Sequence, residues 1–175
     1  MFIYSLPPIF AFTGLISPLE FISFLLLIFG AVFFAAPQPN NLWVSGNQQN
    51  LYYMLQACWL GQTSLTRAFW PFFILVNIVF FYIDYRISNV TFTIASWRTV
   101  HLMLFLPCVW WLTSVWKCST NARKKIWCSC ARSVTIYFMI DYFLRLLISF
   151  EYPNLFFDCK LLAIEFGDCF TGGFQ

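Results

Sequence analysis

"TIYFMIDYFLRLLISF", residues 135–150, is apolar almost throughout, yet it holds an acid, Asp141, and a base, Arg145. Side chains four apart on a helix share a face. A lone charge at the centre of a membrane helix costs about 2.5–3.5 kcal/mol on the insertion scale. Placing the acid one turn before the base reduces that cost without an outside partner. The spacing therefore predicts a membrane helix whose charged face turns toward a bundle interior.

The rest of the chain agrees. Of its 175 residues, 61% are hydrophobic and 10% charged, with a mean hydropathy of +0.73. Soluble domains carry about 25% charged residues, and a small water-soluble fold has no room to hide so much apolar surface. The composition predicts an all-α integral membrane bundle forming one domain over residues 1–175. Phe is the most conspicuous residue, at 23, as suits lipid-facing positions. Crossing a bilayer takes about 20 helical residues. About four segments come close, at 19–36, 68–85, 97–116 and 132–150, followed by a C-terminal tail at 151–175. Strands are a poor alternative, because lipid-spanning sheets need closed barrels with alternating apolar and polar residues, and no such alternation is present. Pro71 falls in the opening turn of the second segment, where it is tolerated, and Pro107 inside the third, where a kink is expected.

Before Leu19 the chain is apolar but broken by Pro7, Pro8, Gly14 and Pro18. It reads as a lead-in at the interface. A signal peptide would need a basic start and a small-residue cleavage site, whereas the first basic residue is Arg67. Residues 50–60 carry apolar side chains suited to a short helix on the membrane surface, and the tail has a similar character.

Basic residues collect in cytoplasmic loops. With both termini outside, the inner loops hold Arg67, Lys117, Arg123, Lys124, Lys125 and Arg132. The outer segments hold Arg86, Arg98 and Lys160. The basic loop from Lys117 to Arg132 is thus placed in the cytoplasm, where it either attracts anionic headgroups or only fixes topology. Trp97, and the group Trp110, Trp111 and Trp116, are expected at the two membrane interfaces. Cys118, Cys128 and Cys130 then face the reducing side. Cys159 and Cys169 share the outer tail, where a disulfide persists if one forms; two unpaired thiols are the other reading, since spacing does not fix pairing.

Asn77, Asp84 and His101 fall at depths compatible with Asp141 and Arg145, giving an expected intramembrane polar cluster of five residues. Such charges are functional-site candidates. The cluster is either a proton or ion relay, a docking point for a charged group on a partner helix, or an internal salt bridge that fixes packing. No metal site is expected, because "CSC" with Cys118 lacks the paired spacing of structural zinc. One histidine cannot ligate haem twice, and no nucleophile motif, phosphate loop or dinucleotide fingerprint is present. No cofactor and no nucleic-acid partner are expected.

Two stretches carry a resemblance. "WLGQTSLTRAFW", with Trp59, Gly61, Leu65, Phe69 and Trp70, together with "VWKCSTNARKKIWCSCAR", with Trp116, Lys117, Asn121, Trp127, Ala131 and Arg132, resembles small uncharacterised bacterial membrane proteins. Those proteins pair a W-x-G-x-x-x-L-x-x-x-F-W stretch with a V-W-[KR]-x-x-x-N cytoplasmic hairpin. The resemblance spans about residues 59–132, and implies a bacterial inner-membrane location but no activity.

The functional expectation is a non-enzymatic accessory or scaffold subunit of a larger membrane assembly, with the lipid bilayer and other membrane subunits, or copies of itself, as partners. The alternative is a small oligomeric transporter or channel using Asp141 and Arg145. A membrane enzyme stands last, for want of acid–base groups.

Overall fold

A computed structural model describes residues 17–39 and 50–151, and residues 153, 157, 159, 162, 164 and 167 of the tail. The N-terminal lead-in, Lys160 and Cys169 lie outside the described residues. The described chain is helical and, among these residues, contains no strand. Its order is α1 (Pro18–Ala35), α2 (Leu51–Leu60), α3 (Leu65–Ser88), α4 (Ile94–Cys118), a 3-10 turn (Ser119–Asn121) and α5 (Lys125–Glu151).

Each boundary has a local cause. Ser17 caps α1 and forms a capping box: its backbone N–H donates to Glu20, whose own N–H donates back to the Ser17 hydroxyl. Thr93 Oγ1 accepts from Ser96 N to start α4. Helix α2 ends in a paired 6→1 and 5→2 closure, Gln62 N to Ala57 O and Gly61 N to Cys58 O, with Gly61 at φ +76°. Helix α3 ends the same way, through Thr91 N to Arg86 O and Val90 N to Ile87 O. Here Val90 takes the left-handed conformation at φ +54°, unusual for a β-branched residue. The Arg86 guanidinium clamps the turn by donating to Thr91 Oγ1 and Thr91 O at 2.8 and 2.9 Å.

Three helical stretches, Leu65–Ser88, Ile94–Asn121 and Lys125–Glu151, are long and apolar enough to cross a membrane. Their charges mark the depth. Nineteen residues separate Arg67 from Arg86 on α3, and nineteen separate Arg98 from Lys117 on α4. At 1.5 Å per residue each interval is about 29 Å, close to the hydrocarbon thickness of about 30 Å. Helix α1, with 18 residues, is shorter, at about 27 Å. It runs antiparallel along the first half of α5, with the Phe21 ring 6.1 Å from that of Tyr137 and Phe33 under Lys125 Nζ at 5.0 Å.

The helices run longer than the polar residues at their ends suggest. In particular, α5 begins at Lys125 instead of residue 132, so most of the basic loop is helical and the connection shrinks to six residues, Ser119–Lys124. Arg132 sits about two turns inside α5, where its guanidinium reaches Ser119 Oγ at 2.8 Å and lies over the Trp116 ring. Helix α4 continues through Pro107.

The core is aromatic, and it includes two of the tryptophans expected at the membrane interfaces. Trp97 and Trp111 are fully buried. Trp111 stacks on Phe72 at 5.5 Å, meets Phe138 edge-on at 5.3 Å, and donates Nε1 to Phe69 O. The expected interfacial role fits Trp116 better, since it is partly exposed. Interfacial and core aromatics give the same composition signal, and only the neighbours separate them.

Candidate functional site

Helices α3 and α5 both pack on α4 and leave a cleft in front of it. Near the Arg86 end, the Arg145 guanidinium lies between two carboxylates. Its Nη1 donates to Asp84 Oδ2 at 2.9 Å, and its Nε to Asp141 Oδ2 at 3.0 Å. Asp84 and Arg145 are 3% and 5% exposed, so the bridge is made away from solvent and lipid alike. The remaining oxygen of Asp84 accepts from Trp97 Nε1 at 3.1 Å. One cation, two anions and an indole N–H thereby tie α3, α4 and α5 together.

The Asp141–Arg145 contact has the i, i+4 geometry expected from their spacing, and Asp84 joins them directly. His101 is adjacent but not bonded to the three. Its ring is held between Trp97, at 3.6 Å, and Phe80, at 4.8 Å, with Nδ1 2.9 Å from Trp97 O and Nε2 buried without a partner. Tyr142 OH donates to His101 O. Asn77 lies farther down α3, on the exposed rim, and donates to Phe73 O of its own helix. The five expected residues thus separate into a bonded triad, a stacked histidine and a rim amide.

A cavity of about 420 Å³ opens beside the triad, with Phe73, Asn77, Phe81 and Asp84 on one wall and Val134, Tyr137, Asp141 and Arg145 on the other. Asp141 Oδ1 and Tyr137 OH are buried there with no hydrogen-bond partner. Tyr137 and the indole donor of Trp97 were not singled out from the sequence as members of the site. One signal was present for Trp97. Residues Asp84 and Trp97 lie at nearly equal distances from the centre of the α3–α4 turn, and an antiparallel helical hairpin brings such positions close.

The basic residues are mostly engaged. Lys117 Nζ donates to Trp59 O at 3.0 Å and lies over the Trp59 ring. Lys125 covers Phe33 and Arg132 covers Trp116; Arg123 and Lys124 project outward. The two stretches that carry the resemblance meet here. Asn121 Nδ2 donates to Gly61 O and Thr63 O, both at 2.8 Å, and a Cβ on Gly61 would lie 3.0 Å from Lys117 Cβ. Helix α2 is held on this side by Cys58 and Cys118, both within reach of Thr63 Oγ1, while Leu51, Tyr52, Tyr53 and Leu60 stay exposed.

Cys58, Cys108, Cys118, Cys128 and Cys130 are free thiols, and Cys159 is disulfide-bonded. Cys118 and Cys128 are wholly buried. Among the described residues, no three His, Cys, Asp or Glu side chains gather as a metal site. No protein-family model matches the chain, and comparison with curated proteins and with solved structures finds no similar chain.

Proposed function

We propose that this protein is a non-enzymatic accessory or scaffold subunit of a larger bacterial inner-membrane assembly, with both termini outside. The observation that carries the reading is the Asp84–Arg145–Asp141 bridge. Its charges are turned on one another and on Trp97, which fixes three helices in register. A conduction path calls for polar groups in succession across the membrane. Here Val76, Cys108, Tyr142 and Leu146 pack a largely apolar core beside the triad.

The orientation rests on Arg67, Lys117, Arg123 and Lys124, which gather at one end of the bundle, as cytoplasmic ends do. The bacterial location rests on the resemblance carried by the W-x-G and V-W-K-x-x-x-N stretches, which pack as one unit at that end.

The alternative, a small oligomeric transporter, draws on the cleft and the unpartnered Asp141 Oδ1. Purification of the tagged full chain in mild detergent, with mass identification of what accompanies it, separates the two. The scaffold reading expects unrelated membrane proteins in fixed stoichiometry. A homogeneous self-oligomer that passes ions in vesicles would overturn it.

A further inference from the structure

The cleft between α3 and α5 has the form of a seat for a helix. On α3 its wall is Phe73, Asn77, Phe81 and Asp84; on α5 it is Val134, Tyr137, Asp141 and Arg145. Both rows follow the three-to-four-residue spacing of one helix face. Each extends over eleven residues, or about 16 Å along the helix, so the groove is about three turns long and follows the bundle axis. Asn77, Phe81 and Val134 along its rim are exposed, while Tyr137 on the α5 wall meets Phe21 of α1.

Among the described residues its acceptors outnumber its cations. Two carboxylates face one guanidinium, and Asp141 uses a single oxygen on Arg145. The other oxygen, Oδ1, is buried beside the similarly unpartnered Tyr137 hydroxyl. Asp141 lies eight residues, or about 12 Å, inside Ser149, whose carbonyl accepts from Arg98. At that depth an acceptor oxygen without a hydrogen bond is costly, and intramembrane charges pair with one another.

From these features we infer that the cleft receives a transmembrane helix of a partner subunit, and that this helix carries one Lys or Arg side chain to Asp141 Oδ1. The inference rests on the scaffold reading and names the chemistry of its partner. The aromatic α3 wall, Phe73 and Phe81, takes the apolar face of the incoming helix and the stem of its basic residue. This is recognition of a helix in a groove, read through side chains one turn apart, with the charge setting register.

The test uses the full-length protein in phosphatidylcholine vesicles, with labelled synthetic poly-leucine transmembrane helices carrying Lys, Leu or Glu at the central position. Energy transfer measures association. The Lys helix is expected to bind about tenfold more tightly than the Leu helix, and the Glu helix no better than Leu. Asp141→Asn is expected to abolish the Lys preference. Val134→Phe, which narrows the cleft mouth and leaves the triad intact, is expected to weaken binding of the Lys helix as well, so the test does not depend on one variant folding. Equal binding of the Lys and Leu helices, or a Lys preference that survives Asp141→Asn, would overturn the proposal. So would a homo-oligomer that Asp141→Asn disperses, because a second copy would then hold the cleft. Unrelated subunits that co-purify unchanged with Asp141→Asn would remove the cleft proposal while leaving the scaffold reading in place.

Discussion

Replacing Arg145 with Gln is the most informative single change in the bundle. The side chain is 5% exposed and bonds both Asp84 and Asp141. Gln keeps some hydrogen bonding but removes the cation that, among the described residues, is bonded to the buried Asp84 and the partly buried Asp141. Breaking a buried ion pair by deleting one partner costs about 3–5 kcal/mol. Asp141→Asn is milder: Arg145 keeps Asp84, and the Asn oxygen still accepts from Nε, so the loss is about 1 kcal/mol. Asp84→Asn falls between them, at about 1.5–3 kcal/mol, because Trp97 Nε1 retains an acceptor. The neutral triple variant, with Gln at 145 and Asn at 84 and 141, is expected to regain most of what Arg145→Gln loses, since no unpaired charge is left buried. Unfolding titrations of the purified protein in mixed detergent micelles give these differences. If Arg145→Gln costs no more than Asp141→Asn, or the triple variant is no more stable than Arg145→Gln, the bridge does not hold the helices and the reasoning fails.

Other consequences follow from single contacts. His101→Phe is expected to change stability by no more than about 1 kcal/mol, because Nε2 has no partner and the stack between Trp97 and Phe80 is kept; His101→Ala leaves a void and is expected to cost about 3 kcal/mol in the same titration. Gly61→Ala forces a left-handed conformation on a residue with a Cβ, at about 1–2 kcal/mol, and presses on Lys117 Cβ; faster proteolysis between residues 60 and 64 would report the loosened junction. Asn121→Ala removes both bonds to the same segment and is expected to raise cleavage there too, by an amount equivalent to about 1–3 kcal/mol. Alkylation of the unfolded, unreduced chain followed by mass mapping is expected to modify Cys58, Cys108, Cys118, Cys128 and Cys130, and to reach Cys159 only after reduction.

The spanning helices were legible because apolar length is a one-dimensional property, and the Asp141–Arg145 pair because four-residue spacing fixes a face. Depth counting also brought Asp84 into their group. Helix ends were less legible. Arg132 and Lys125 look like loop residues in a membrane sequence, yet a long basic side chain at a helix end folds back over Trp116 or Phe33 and lets the helix continue. For Trp97 and Trp111, position near a helix end is visible in sequence, while the direction of the side chain into the core is not. Contacts between distant segments were out of reach altogether. Trp59 and Gly61 meet Lys117 and Asn121 across more than fifty residues of chain, and nothing in either stretch specifies the other. The cleft depends on which helices are neighbours, and that information belongs to the packing.

That the long helices cross one bilayer, with the triad between its faces, is tested most directly by thiol accessibility. Ile126 at the basic end and Asn89 at the opposite end are both exposed, so each is replaced with Cys in a Cys130→Ser background and the full chain is assayed in sealed membrane vesicles. A membrane-impermeant maleimide should label one of the two positions before lysis and the other only afterward. Labelling of both from the same side would place the two ends of the bundle in one compartment and contradict the account.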